Sequence, residues 1–451
     1  MTRVKKDIDM VNGPLLGNVI RYTIPIILTS LLQLLFNAAD LVVVGHFCGS
    51  NSLGAVGATS SMVHLLVNLF NGISIGAGVV VAQAIGARNS DHIHRTIHTA
   101  IPLGAISGVL IAVVGVIFSP TLLTWMATPA EFMELSTLYV RIYFVGMIPG
   151  MLYNYGAAIL RAAGDTKSPL YYLAFAGVLN VGLNVIFVTQ LHMDVAGVAL
   201  ATAISQLISC ILVLRKLMRR RDACRLELKA LRLHAHAVRQ MLSMGLPNGL
   251  QSCMFSISNM LIQSSINSFG AASVAGNTAA CNIESFVYMA MYAFSQTAMN
   301  FAGQNIGAGK PDRVRKIYGT CMGCMAVMGA VLSAAAILFA RPLLSIYITD
   351  SAEAIDIGVL RIAIVLSTYV ICGMMDTATG TIRGTGSSLP PMIISLIGVC
   401  AFRAGWVYTA FAASHTLATL YLSYPISWTL TLVALNVVLF RRIKKLKAAQ
   451  A

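Results

Sequence analysis

The stretch Phe36-Asn37-Ala38-Ala39-Asp40-Leu41-Val42-Val43-Val44-Gly45 decides the fold. It lies in an apolar segment that begins near Leu15, longer than the ~20 residues a helix needs to cross a bilayer. Asp40 is the only ionised side chain between Arg21 and Arg88. A carboxylate at bilayer depth costs ~2.5–3.5 kcal/mol on insertion scales. Packing does not repay that cost, so an intramembrane Asp reads first as an ion or substrate site, with the rest of the chain as its scaffold. The competing reading is a structural Asp satisfied by hydrogen bonds between helices.

The composition agrees with a membrane scaffold. Of 451 residues, 57% are hydrophobic and 10% charged, against about 25% charged in soluble domains. The mean hydropathy is +0.77. The net charge of +15 would point to nucleic acid in a soluble protein. Topology accounts for it here. With about twelve spans, 27 of the 31 Lys and Arg residues fall on one side. The positive-inside rule makes that side the cytoplasm, with both termini inside. Nucleic-acid binding by the basic run Arg215 to Arg232 is not expected. No signal-peptide pattern is visible, and the first span reads as an uncleaved anchor.

Because lipid leaves no backbone group unpaired, the spans are expected to be helices. They read as 16–45, 53–84, 97–119, 136–160, 169–190, 194–217, 240–268, 272–304, 316–340, 355–382, 388–412 and 416–440. Pro25, Pro149 and Pro247 lie inside spans, where bends are expected. The chain also repeats itself at an offset of about 222 residues. Ala82-Gln83-Ala84-Ile85-Gly86-Ala87 recurs as Gly303-Gln304-Asn305-Ile306-Gly307-Ala308. Arg161-Ala-Ala-Gly164 recurs as Arg383-Gly-Thr-Gly386, and Ile24-Pro25 falls on Leu246-Pro247. The reading is therefore an all-α integral membrane protein of twelve transmembrane helices in two pseudo-symmetric six-helix lobes. Residues 1–217 form the N-terminal lobe, 218–239 a basic cytoplasmic linker, 240–440 the C-terminal lobe and 441–451 a basic tail. Halves with even span counts share an orientation, so an axis along the membrane normal and a ligand cavity between or inside the halves are expected.

Few strongly polar groups lie at depth. In the first half they are Asp40, His64, Asn68, Asn154, Asn180, Asn184, Thr202 and Gln206. In the second they are Gln251, Asn259, Gln263, Asn282, Glu284, Asp376 and Arg403. Asp40 reads as a proton carrier. Surrounded by the oxygens of Asn180, Asn184 and Thr202, it reads alternatively as a Na+ ligand, since sodium takes oxygen donors. Asn180 and Asn184 are four apart and share a helix face. Glu284 and Asp376 are the second-half acids. Arg403 is read as the only deep basic residue, and a pair with either acid would neutralise both partners.

Other motifs read blandly. Gly72-x3-Gly76 and Gly104-x3-Gly108 are small-residue faces for close helix packing. Cys321-Met-Gly-Cys324 sits mid-helix among apolar residues and is not a metal or redox pair. His92, His94, His98, His234 and His236 read as a solvated face, not a metal site. The run Gly303-Gln-Asn-Ile-Gly-Ala-Gly-Lys310-Pro311 fails as a phosphate loop: Gln304 stands where Gly is needed and Pro311 replaces Ser or Thr. No nucleophile–base constellation presents itself, so the chain does not read as an enzyme. Uphill movement would have to use an ion gradient.

From about Gly13 to Arg442 the residues resemble the multidrug and toxic compound extrusion (MATE) transporter family, of the bacterial type. The resemblance is carried by Pro25 with Asp40-Leu-Val-Val-Val-Gly45, Gln83-x-Ile-Gly86-Ala, Leu160-Arg161-Ala-Ala-Gly164-Asp165-Thr166-Lys167, Asn180-x3-Asn184, Val195-Ala-Gly197-x3-Ala201-Thr202 and Gly303-Gln304-Asn305-Ile306-Gly307-Ala308-Gly309. It implies two six-helix lobes in a V shape, in the bacterial plasma (inner) membrane. It further implies export of small organic, cationic compounds by antiport with H+ or Na+, by a monomer that needs no cofactor. The implied ion-coupling cluster is Asp40, Asn154, Asn180, Asn184 and Thr202. Glu284 and Asp376 are the implied substrate or second coupling site. Two departures favour protonation over sodium binding: Asn184 stands where many members have Asp, and Phe255 where some sodium-coupled members have Glu. The alternative is a flippase for a lipid-linked precursor, of the same wider superfamily. It would call for a strongly cationic cavity, which one deep Arg does not supply.

Overall fold

The computed structural model describes residues 7–126, 128–349 and 351–449. Arg3, Lys5 and Lys6 of the basic count, and the end of the 441–451 tail, lie outside the described residues. The described chain is mostly helical, as the need to pair every backbone group within its own segment requires of the spans. The first half runs α1 (Leu15–Val43, continued by a π turn over Val44–Cys48), α2 (Ser50–Gly86), α3 (Ser90–Trp125), α4 (Ala130–Ala162), α5 (Lys167–Thr189) and α6 (Asp194–Met218). The second runs α7 (Ala235–Asn267), α8 (Ala271–Gly307), α9 (Pro311–Leu338), the short α10 (Ala340–Ser345), α11 (Ala352–Ser367), α12 (Tyr369–Gly384), α13 (Leu389–Ser414) and α14 (Leu417–Ala448).

Local chemistry marks the helix ends. The side chains of Asn89, Ser351 and Thr416 cap α3, α11 and α14, and Pro311 opens α9. Gly164 (φ 96°) and Gly386 (φ 84°) make the turns after α4 and α12, a left-handed backbone that favours glycine. These two glycines are repeat equivalents.

Among the described residues, nine helices are long and apolar enough to cross a membrane, and α11 with α12 makes a tenth crossing bent by 47°. The remaining two crossings of the twelve are α7 and α8, at 33 and 37 residues. Both are diluted by Asn, Gln and Ser, of which Asn259, Gln263, Asn277 and Ser285 line a cavity. The helices run on through Pro25, Pro149 and Pro247. The break between α11 and α12 falls at Thr368, where no proline stands.

The chain forms two compact units. The first comprises the segment ending at Asp9 and residues Ile24–Gly249; the second comprises Met10–Thr23 and Leu250–Ala451. These differ from boundaries at 217 and 240 for a physical reason. The first turns of α1 pack on α8: Tyr22 meets Phe301 edge-on at 5.3 Å, and the Thr23 and Thr297 hydroxyls lie 2.8 Å apart. The first turns of α7 pack on α2 instead. A Cβ on Gly72 or Gly76 would fall onto the backbone of Gly249 or Gly245.

In the first unit α4 is the hub, packed on α2, α3 and α6. Gly104 and Gly108 let α3 approach Tyr155 and Ile148. The linker is fastened to this unit: Cys224 and Leu226 join a buried cluster with Ile97, Val213 and Leu217. His98 is correspondingly not part of a solvated face. It is fully buried, and its Nε2 accepts from the Glu227 backbone N–H at 2.9 Å. In the second unit α8 packs on α9, α11 and α12, and α14 lies against α12.

Candidate functional sites in the two units

Asp40 sits on α1 where α5 and α6 meet it. Asn184 donates to Asp40 Oδ1 at 2.5 Å. The Asn180 amide satisfies both its ends by donating to the same oxygen at 2.9 Å and accepting from the Thr202 hydroxyl at 3.3 Å. Asn180 and Asn184 are buried, and the Asn184 Oδ1 is a buried acceptor with no partner. Four of the five residues of the expected coupling cluster thus come together: Asp40, Asn180, Asn184 and Thr202. Asn154 does not join them. Its amide donates to Asn71 Oδ1 on α2 at 2.7 Å, a bond between α4 and α2 of the kind that holds helices together in lipid. The cluster contains no second acid. Its amides turn N–H groups towards the carboxylate and so stabilise its charged form.

The second unit holds a cavity of about 390 Å³, reached by α7, α8, α11, α12, α13 and α14. Glu284, Arg361, Asp376 and Arg403 all line it. Of the two readings of these acids, pairing with Arg403 is not found among the described residues. Glu284 is held by Arg361, whose Nε and Nη2 each donate to one carboxylate oxygen at 2.8 Å. Arg361 Nη1 donates to Asn277 Oδ1 at 2.8 Å, and Asn277 donates onward to Gln263 at 2.8 Å. Both ions are buried, and the bidentate fork is the strong geometry for this pair. Arg403 is therefore not the only deep basic residue; Arg361 and Arg383 are buried as well. Arg361 escapes a reading by hydropathy because it stands ten residues into α11, where spacing does not tell which way a side chain points.

Asp376 on α12 takes a hydrogen bond from the Tyr288 side chain. Arg383, two turns on, donates to Gln251 at 2.7 Å. Arg403 has no carboxylate within ion-pairing distance among the described residues. Its Nε donates to Ser427 at 3.2 Å and its Nη1 to Asn259 at 3.3 Å. Its guanidinium carbon lies 4.1 Å from the Tyr424 ring centre and 5.8 Å from that of Trp428. Arg361 approaches the same Tyr424 ring at 5.2 Å. Tyr288, Tyr369, Tyr424 and Trp428 form a continuous aromatic wall, with successive ring centres 5.5 to 6.4 Å apart. This wall is not legible in the sequence, since its rings come from three helices, α8, α12 and α14.

The MatE family profile matches residues 25–186 and again residues 247–409. The chain belongs to the MATE family. Its double match falls on the two repeats. MATE proteins are membrane transporters, so this is a multi-pass transporter and not an enzyme. The chain is 25% identical to the probable multidrug resistance protein YoeA of Bacillus subtilis, covering 91% of this chain and 90% of that protein. It is 24% identical to the probable multidrug resistance protein NorM of Thermotoga maritima, over 85% of this chain and 83% of that one. A solved structure described as the outward-facing conformation of a multidrug resistance MATE family transporter shares the fold at a TM-score of 0.91 and 22% identity. That match covers 99% of this chain and 100% of the other.

Proposed function

We propose that this MATE transporter exports organic compounds out of a bacterial cell by antiport with H+, and that Asp40 carries the proton. The observation behind this reading is the Asp40 cluster. One carboxylate, with no second acid bonded into its cluster among the described residues, receives amide N–H groups on one oxygen. One proton neutralises it. Sodium would need several oxygens aimed at the ion, which means turning both amides out of the hydrogen bonds they make to Asp40.

In the proposed cycle Asp40 takes a proton from the outer side as substrate leaves. It releases the proton inward as substrate binds. Antiport requires proton and substrate to favour opposite states, and a membrane potential contributes ~2.3 kcal/mol per charge per 100 mV. Substrate is placed in the second unit's cavity. Asp376, the acid there not spent on an arginine fork, meets the positive end of a cationic compound, and the aromatic wall meets its apolar body. The names of YoeA and NorM support a multidrug substrate range. The protein works as a monomer in the plasma membrane, with both termini and the linker in the cytoplasm, as its charge distribution favours.

The test is efflux of ethidium from everted vesicles under a pH gradient and, separately, a Na+ gradient. Wild type is expected to respond to the pH gradient alone, and Asp40→Asn to lose at least about tenfold in rate, one order for each 1.36 kcal/mol of driving interaction removed. Efflux driven by Na+ alone would overturn proton coupling.

A further inference from the structure

We infer that Arg403 is a receptor for an anionic group, so that the second unit's cavity accepts aromatic organic acids and not only cations. The inference rests on the reading of that cavity as the substrate site. A guanidinium carries five N–H donors in a fixed fork. Arg403 uses two of them, at 3.2 and 3.3 Å, on neutral oxygens. The other three have no acceptor among the described residues. Arg403 is only 4% exposed, yet it lines the cavity, so the acceptor it lacks can arrive only through that space.

The contrast with Arg361 sharpens the point. Arg361 has its carboxylate, Glu284, on two bonds of 2.8 Å. Arg403 has no carboxylate among the described residues, only two neutral oxygens and the π faces of Tyr424 and Trp428. Ring faces stabilise a cation but leave in-plane N–H groups unsatisfied. A carboxylate or phosphate satisfies them in the paired geometry arginine favours. The adjoining wall of Tyr288, Tyr369, Tyr424 and Trp428 suits an aromatic body. This selects a soluble aromatic acid over a lipid headgroup, whose attached chains are aliphatic.

The experiment uses three probes that differ only in charge: pyrenecarboxylate, pyrenemethylamine and pyrenemethanol. They are titrated into the full-length protein, purified with Trp125 and Trp406 changed to Phe. Of the three tryptophans, Trp428 then remains as the energy donor to pyrene. Pyrenecarboxylate is expected to bind about ten- to a hundredfold tighter than pyrenemethanol, the scale of hydrogen bonds to a charged group. Arg403→Gln should erase that preference, with pyrenecarboxylate and pyrenemethanol binding alike on the variant. Arg403→Lys, which keeps the charge and loses the fork, should retain part of it, and decides the matter if Arg403→Gln does not fold. Equal binding of carboxylate and alcohol, or a preference that survives both variants, overturns the inference. Energy transfer to pyrenemethylamine alone also overturns it, while leaving the cavity as the substrate site. No transfer to any probe would remove both readings. An excess of phosphatidylglycerol that displaces pyrenecarboxylate would reassign Arg403 to a lipid headgroup and overturn the soluble-acid reading.

Discussion

The two repeats share their helices and differ in their chemistry. Residues Ala130–Ala162 form the unbroken α4, whereas the equivalent Ala352–Gly384 segment is broken at Thr368 into α11 and α12. Asn180, Asn184 and Thr202, which surround Asp40, have Phe402, Trp406 and Tyr424 as their equivalents. Asn154, tied to Asn71, is the equivalent of Asp376 in the cavity. One half thus spends its interior polarity on a tight cluster around one acid. The other spends its own on an aromatic cavity where a carboxylate and an arginine already neutralise each other. A duplicated scaffold can keep its backbone while its polar positions diverge, because helix crossing needs only an apolar outer face and internally paired backbone groups.

The largest expected effect breaks the pair that has no counterpart in the first half. Met62 and Tyr139 stand at the positions equivalent to Glu284 and Arg361. Glu284→Ala leaves Arg361 buried and unpaired, with an expected loss of about 3–5 kcal/mol. Thermal unfolding in detergent measures it. The double change Glu284→Met with Arg361→Met should recover most of that loss, because a buried ion pair is often no better than packed apolar residues. Asp40→Asn should instead leave the melting temperature near wild type while efflux fails. If Glu284→Ala unfolds no more readily than Asp40→Asn, the division between a structural pair and a working acid is wrong.

This contrast also shows what the sequence discloses. Asp40 stands out because nothing charged surrounds it for tens of residues, and the Asn180–Asn184 spacing places both amides on one face. The repeat and the helices follow from apolar run lengths and recurring motifs. The Glu284–Arg361 fork stays hidden because its members lie on helices separated by two others, and a twist of one residue would turn either away. Asn154, which the family resemblance groups with Asp40, hydrogen-bonds Asn71. Its depth is legible, but its direction towards Asn71 is set by how α4 leans on α2. The Thr368 break carries no proline to announce it.

A second comparison concerns how helices approach. In the first unit α2 meets α7 through Gly72 and Gly76 against Gly249 and Gly245, with no room for a Cβ. The equivalent crossing in the second unit, α8 on α1, is made by side chains: Thr23 with Thr297 and Tyr22 with Phe301. Gly72→Leu should therefore cost about 1–3 kcal/mol by overpacking, read as a lower melting temperature. Gly323→Leu on α9, where nothing lies within 4 Å, should be close to neutral. Equal tolerance at both sites would mean that α2 and α7 do not meet on their glycines.

The smallest effect separates two equivalent arginines. Arg442 donates to the hydroxyl of Thr385 at 2.6 Å and to its carbonyl at 3.0 Å, both neutral partners. Arg220, its equivalent after α6, binds the carboxylates of Asp7 and Asp222. Burial pushes the Asp222 carboxyl up, but the Arg220 hydrogen bond and charge outweigh it and hold the group below its ordinary value of 3.8. A lowered value means that this contact contributes stability above the ordinary carboxylate range and loses it as pH falls through the lowered value. For Asp7 burial outweighs Arg220 and the carboxyl is raised. Its sign is opposite: its contribution is complete below 3.8 and is lost as pH rises through the raised value. Asp222→Asn should accordingly lower stability at pH 7 by less than ~1 kcal/mol, as for other exposed ion pairs, and the difference should close below about pH 4, near the ordinary range for Asp. Asp7→Asn should be neutral or slightly stabilising at pH 7. Unfolding of the two variants across that pH range measures both signs, and an equal loss from both at pH 7 would mean that Arg220 satisfies its two carboxylates alike.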